Sequence, residues 1–262
     1  MNAFTLTTTN GIARLVFDLP GEKVNKFSFE AMNDLDRHLA ELEKRTDVRL
    51  LVLTSAKPGV FIAGADITML ARIAKEPEAE AKAKEGQRVF NRLADLPFPT
   101  MAVIDGACLG GGLECALACT WRVVTDGDKV KLGLPEVSLG IIPGWGGTQR
   151  LPRLIGKARA KELILTARKL SAAEAERMGL VNFVADEGKL REKGLEVARA
   201  IAANGPVAVR AAKRAIDEGC ELPQAQGLEV EARCYELVLP TQDRKEALAA
   251  FAEKRAPRYT GA

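Results

Sequence analysis

Glu114 and Glu136 each stand in a run too rich in glycine for ordinary packing. Glu114 closes Gly106-Ala107-Cys108-Leu109-Gly110-Gly111-Gly112-Leu113-Glu114. Glu136 lies in Gly133-Leu134-Pro135-Glu136-Val137-Ser138-Leu139-Gly140, which continues into Pro143-Gly144-Trp145-Gly146-Gly147-Thr148-Gln149-Arg150. A third such run, Phe61-Ile62-Ala63-Gly64-Ala65-Asp66, precedes both. Three successive glycines between a strand and a helix leave backbone N–H groups bare to an approaching ligand. The helix N-terminus adds partial positive charge, so the place suits an anion or a developing oxyanion. Glu114 falls in the first turn of that helix. The same residues also fit a plainer account: a turn for close helix–strand packing, with Glu114 offsetting the dipole.

Two phosphate-binding motifs fail on spacing. A P-loop ends in Gly-Lys-Ser/Thr, whereas Leu113-Glu114 follows Gly112. A dinucleotide fingerprint beginning at Gly110 needs glycine at position 115, which is Cys115. Other reactive side chains point to less. His38 is the one histidine, on a helix read as Ser28–Thr46 beside Asp36 and Arg37, and is expected to be exposed. Cys115 and Cys119 lie four apart on the helix after Glu114 with no further metal ligand evident, which suits buried thiols better than a metal site. The five cysteines are an odd number without a C-x-x-C, as reduced thiols in a reducing compartment would be.

The elements that must position these residues follow from pattern. Phe4–Thr9, Asn10-Gly11 and Ile12–Phe17 read as a hairpin. Ser28 caps a helix carrying Phe29, Met32, Leu35, Leu39 and Leu42 at helical spacing. Val48–Thr54 and Thr100–Ile104 read as buried strands, and Lys75–Lys84 as charged surface. Strand, crossover and strand recur about every fifty residues, the grammar of a right-handed α/β arrangement. From about Gly147 strand signals nearly vanish. Helices are expected over 159–166, 172–178, 189–203, 207–219, 224–238 and 244–254. The chain has 262 residues, 47% hydrophobic and 28% charged, which supports a sizeable core and excludes disorder or a coiled coil. A net charge of +3 is too even for a dedicated nucleic-acid or membrane-surface protein, yet suits an anionic small molecule. No secretory leader or membrane-spanning run is visible, so a cytoplasmic location is expected.

FIAGAD, GACLGGGLE and GLPEVSLGIIPGWGGTQRLPRLIG resemble, in order and spacing, the signature blocks of the crotonase (enoyl-CoA hydratase/isomerase) superfamily. PGEKVN and DRKEALAAFAEKR match too, so the resemblance covers essentially the whole chain. It looks most like the hydratase part of the bacterial fatty-oxidation multienzyme, here free-standing. The resemblance implies an α/β fold, a crotonase-like spiral of repeated ββα units with a helical C-terminal trimerisation region. Residues 1–195 would form the core with the active site and 196–262 the helical region.

By the same resemblance, the N–H groups of Ala65 and Gly111 form an oxyanion hole for the thioester carbonyl. Glu114 activates the water, Glu136 exchanges the proton at C2, and the Gly144 N–H holds the water. Isomerases of the superfamily usually keep only the glutamate matching Glu136. Two carboxyls around one water cannot comfortably both ionise, so one pKa should be raised. Lys23, Val24, Ala63, Asp66, Ile67 and Lys254 would border coenzyme A, Lys254 from a neighbouring subunit in one arrangement, although either lysine fits equally as solvated charge. Thr68 departs from the pattern, since lysine is common there in mitochondrial hydratases. Trp145 either walls the acyl pocket or points away. No metal or cofactor is implied, coenzyme A being part of the substrate. The expected partners are acyl-CoA and further copies of the chain, as a homotrimer or dimer of trimers, with no nucleic acid or membrane. Isomerisation, dehydration or hydrolysis on the same scaffold, and a non-catalytic acyl-CoA- or RNA-binding protein, are the alternatives.

Overall fold

The computed structural model describes residues 2–66, 68, 69 and 76–262. The chain opens with strands β1 (Phe4–Thr9) and β2 (Ile12–Phe17), paired antiparallel from Phe4 opposite Phe17 to Thr9 opposite Ile12. Asn10 and Gly11 have φ of 51° and 76°, the left-handed pair that a two-residue hairpin turn needs. Helix α1 (Phe29–Leu42) starts where the Ser28 hydroxyl accepts from the Ala31 N–H. Strands β3 (Leu50–Ser55), β5 (Thr100–Ile104), β7 (Trp121–Thr125) and β9 (Phe183–Ala185) then extend the hairpin into a six-stranded sheet, β1-β2-β3-β5-β7-β9, parallel from β2 onward. All five residues of β5 are buried, which a covered parallel strand requires and which its unbroken apolar run supplies.

Three short strands, β4 (Val60–Ile62), β6 (Ala107–Leu109) and β8 (Leu132–Gly133), form a second parallel sheet. Each turn of the chain therefore gives one strand to each sheet before a helix, α2 (Glu76–Ala94) and then α3 (Gly111–Ala118), carries it on. This is the ββα spiral. The three short strands all end at one place, and the glycine-rich runs follow directly.

The C-terminal part is helical: α4 (Gly147–Ile155), α5 (Lys157–Leu165), α6 (Ala172–Arg177), α7 (Leu190–Ala202), α8 (Pro206–Gly219), α9 (Gln224–Val238) and α10 (Gln242–Ala252). The expected division after residue 195 falls inside α7, whose Leu190, Ala198 and Ile201 pack on Leu50, Met101 and Val123 of the large sheet. Helix α8 begins at Pro206, and its Val209 still packs on that cluster. Helices α8 and α9 share a small separate cluster of Ala211, Val230 and Cys234. β9 lies between the helices expected over 172–178 and 189–203, where strand signals nearly vanish, and at three residues is too short to show alternation. His38, expected to be exposed, is buried: Asp34, which accepts from the Ala3 and Phe4 amides, lies beside it, and Arg37 reaches its Nε2 at 3.0 Å. Among the described residues no helix is long and apolar enough to cross a membrane.

Candidate active site

The triplet Gly110-Gly111-Gly112 joins β6 to α3, and each position excludes a side chain for its own reason. Gly110 has a φ of 53°. A Cβ on Gly111 would lie 2.6 Å from the Trp145 ring, and one on Gly112 2.3 Å from the Ile62 carbonyl oxygen. The helix start is thereby pressed against the end of β4. Ala65 follows β4, and its neighbours exchange hydrogen bonds with Phe27: Phe27 N–H to Gly64 O and Asp66 N–H to Phe27 O, both 2.8 Å. In that parallel pairing the Ala65 N–H faces the other way, toward α3. A Cβ on Gly111 would stand 3.5 Å from the Ala65 nitrogen, so the two residues expected to form an oxyanion hole lie side by side. Among the described residues neither amide meets an acceptor. Two bare N–H groups at a helix N-terminus are what a developing oxyanion needs.

Glu114 lies in the first turn of α3 with its side chain buried. Its Oε1 accepts from the N–H groups of Trp145 and Gly147, both at 2.8 Å. Burial raises its pKa, while the two amides and the nearby Arg150 guanidinium work against that rise. The carboxylate is desolvated but well supported.

Glu136 opens a short 3-10 turn, Glu136–Leu139, after β8. It is half-buried, and its Oε2 is buried without a hydrogen-bond partner among the described residues. Its Oε1 lies over Gly110, 3.1 Å from where a Cβ would be. Desolvation, reinforced by the charge of Glu114, pushes its pKa up to about 7. One carboxyl of the pair is thus shifted into the range of a general acid at neutral pH.

Both carboxyls, with Ala65, Gly111 and Gly144, line one cavity of about 600 Å³. Its remaining wall is largely apolar, with Phe29, Met32, Met69 and Ile142 prominent. Trp145 is buried and faces inward. Its ring meets Phe27 and Phe90 edge-on at centroid distances of 6.0 and 5.7 Å and lies between Gly111 and Gly86. Trp145 is thus among the cavity-lining residues while its ring packs into the core, which combines features of both orientations considered. Helix α2, part of which read as charged surface, also lines this cavity through Lys82, Ala83 and Gly86. A Cβ on Gly86 would come within 2.3 Å of the indole. Gly86 escaped the sequence analysis, although a glycine inside a helix costs about 1 kcal/mol relative to alanine and often marks a close approach.

The residues expected to border coenzyme A divide. Ala63 lines the cavity. Asp66 stands beside it but is engaged: its carboxylate accepts from the Thr68 N–H and hydroxyl, at 2.9 and 2.8 Å, and pairs with Lys26 at 3.2 Å. Thr68, noted for lacking a lysine, therefore closes a turn with Asp66. Lys23 is exposed and Val24 half-buried on the loop before Asn25, outside the cavity lining. Lys254 is exposed just beyond α10 and is not brought to the cavity within one chain. Ile67 lies outside the described residues. Cys108, Cys115, Cys119 and Cys234 are buried, and burial lifts the Cys119 thiol to about 11. Among the described residues no group of three or more metal-ligating side chains comes together.

Residues 7–262 match the family model described as enoyl-CoA hydratase/isomerase. The human mitochondrial methylglutaconyl-CoA hydratase is 44% identical over 241 residues, spanning 90% of this chain and 70% of that one. The alpha subunit of the fatty acid oxidation complex of Vibrio campbellii is 49% identical over 176 residues, 67% of this chain and 25% of that one. Among solved structures, the enoyl-CoA hydratase from Bacillus anthracis superposes with a TM-score of 0.93 at 40% identity, covering 99% of this chain and 100% of that one. Signature blocks, spiral and relatives agree, and the chain belongs to the crotonase family of enoyl-CoA hydratases and isomerases.

Proposed function

We propose that the protein adds water reversibly to trans-2-enoyl-CoA thioesters, giving 3-hydroxyacyl-CoA. The observation that carries this reading is the pair of unlike carboxyls in one cavity: Glu114 held by two amides, and Glu136 unpartnered and shifted to about 7. Glu114, ionised, takes a proton from the water, whose oxygen bonds to C3. The C2=C3 electron pair moves toward the thioester, and the carbonyl oxygen gains charge against the Ala65 and Gly111 amides. Glu136 then gives its proton to C2, and exchange with solvent resets both carboxyls. The thioester itself accepts the charge, so the sequence needs no metal or redox group. Gly144, on the cavity wall, is the proposed donor to the water. Coenzyme A would run past Ala63 and Asp66, with Lys23, Val24, Ile67 and Lys254 as outer contacts.

Exposed Leu228, Tyr235 and Phe251 on α9 and α10, the last 85% exposed, support assembly into trimers or dimers of trimers. Light scattering should give a multiple of three chains; a monomer at micromolar concentration overturns that assignment. The function is tested by loss of the conjugated-thioester absorbance with crotonyl-CoA and longer homologues, beside a 3-enoyl-CoA. Turnover of the 2-enoyl series supports hydration. Turnover of the 3-enoyl substrate alone means isomerisation, and turnover of neither overturns the hydratase reading.

A further inference from the structure

We propose that Gln87, on the outer side of α2, is a positioning residue for Glu114 that acts through the Gly144–Trp145 peptide. The inference rests on reading Glu114 as the base. A carbonyl oxygen only accepts, so the Gln87 amide nitrogen is the atom that donates to Gly144 O, at 2.8 Å. That oxygen and the Trp145 N–H belong to one planar trans peptide and point opposite ways. The N–H at the far end is the one that donates to Glu114 Oε1 at 2.8 Å. Gln87, peptide and carboxylate form one chain of hydrogen bonds in which each donor polarises the next.

The second donor to Glu114 needs no such help. Gly147 N–H shares its peptide with Gly146 O, which accepts from the Gln149 and Arg150 amides at 3.0 and 2.8 Å within the first turn of α4. Trp145, by contrast, stands between two glycines, with Gly146 at a φ of 114°, so its own backbone does little to hold the peptide's direction. The carbonyl of Trp145 is held in turn by Arg150 at 3.0 Å, and Arg150 reaches Asn91 on α2. Helix α2 thus grips the turn at Gln87 and again, through Arg150, at Asn91. The other ionisable groups around Glu114 are Arg150 from α4, Glu136 from the 3-10 turn, the Lys82–Glu85 pair from α2 and Cys115 on its own helix. Gln87→Met adds no charge to this set, since it exchanges one uncharged side chain for another.

The test compares Gln87→Met, similar in length without a donor, with Gln87→Lys, which can still donate. In crotonyl-CoA hydration, Q87M should lose about tenfold in kcat, the worth of one hydrogen bond in a polarised chain. KM should stay within about twofold, and the acidic limb of the pH profile should move up, because a weaker N–H donor stabilises the Glu114 anion less. Q87K should recover most of the loss. A Q87M enzyme with the native rate and limb, or equal losses in Q87M and Q87K, overturns the proposal. A substrate-free readout separates this from the hydratase reading: the ¹³C-NMR titration of Glu114, assigned with E114Q, should have a higher midpoint in Q87M. An unmoved midpoint overturns the positioning role whatever reaction the enzyme performs.

Discussion

The start of α3 and the turn after β8 deliver one carboxyl each to the same cavity, and they treat them in opposite ways. At the start of α3, Glu114 is buried yet receives two amides and the field of Arg150. In the turn after β8, Glu136 is less buried, yet its Oε2 has no partner and its pKa stands near 7. Burial raises both; at Glu114 the two amides and Arg150 offset part of the rise, whereas the Oε2 of Glu136 has no such partner among the described residues. On the proposed reading, one residue type serves as base and as acid according to what surrounds each.

The largest effect should come from replacing either carboxyl. Glu114→Gln and Glu136→Gln should each lower kcat for crotonyl-CoA hydration by about a thousandfold or more, each amide keeping the volume but losing the proton transfer. Binding of acyl-CoA, followed by calorimetry, should persist. Near-normal turnover in either variant would break the comparison at that residue.

Gly111→Ala asks whether the helix start matters beyond Glu114. Its Cβ would press on the Trp145 ring at 2.6 Å and disturb the amide beside Ala65. A loss of about a hundredfold in kcat is expected, the usual effect of removing one oxyanion donor. An active G111A enzyme would show that the indole yields to the added Cβ and leaves the Gly111 amide in place. A substitution by another small residue is therefore not silent here, because the indole leaves no room.

The two regions also differ in how far they could be read from sequence. Glycine content singled out the three runs, and the family resemblance picked Glu114, Glu136, Ala65 and Gly111 within them; all four line one cavity. Local pattern likewise gave the hairpin, α1 and β5. It could not give Gln87, Arg150 or Gly86, because these act through partners more than fifty residues away along the chain or on another helix. Nor could it bury His38: the charged neighbours Asp36 and Arg37 made its helix face look wet, whereas long-range pairing with the amides of Ala3 and Phe4 brings Asp34 and the histidine inward. The β9 strand was lost for a related reason. Three residues carry no period, and only β7 beside them makes a strand.

A smaller effect concerns acyl length, since the indole sandwiched between Gly86 and Gly111 bounds the cavity. Trp145→Phe should open space and raise kcat/KM for longer chains relative to crotonyl-CoA. Gly86→Ala should push the indole inward and do the reverse. Each methylene of fit is worth about 1–3 kcal/mol, so ratios should move about tenfold. Parallel profiles for native protein and both variants would show that Trp145 does not set the limit.

The smallest effect is on stability, and it separates the two carboxyls without any substrate. Glu136 titrates near 7 in the folded chain, above the value of 4.5 for an unperturbed glutamate. Between those values the folded state holds more protons than the unfolded one, so stability must fall as pH rises through that window. Below about pH 4.5 both states are protonated and the contribution is fully present; above about 7 it is gone. Solvent on the exposed side of Glu136 screens the effect, leaving about 1 kcal/mol, which is about 2–4 °C in Tm for a chain of this size. The Tm difference between native protein and Glu136→Gln should therefore shift by that amount between pH 5 and pH 7.5, the native chain being the one that loses. Cancelling common pH effects in this way leaves the contribution of Glu136 and of its coupling to Glu114. A difference that stays constant across the window would mean that Glu136 is not held protonated by its surroundings, and the contrast with Glu114 would then rest on the hydrogen bonds of Glu114 alone.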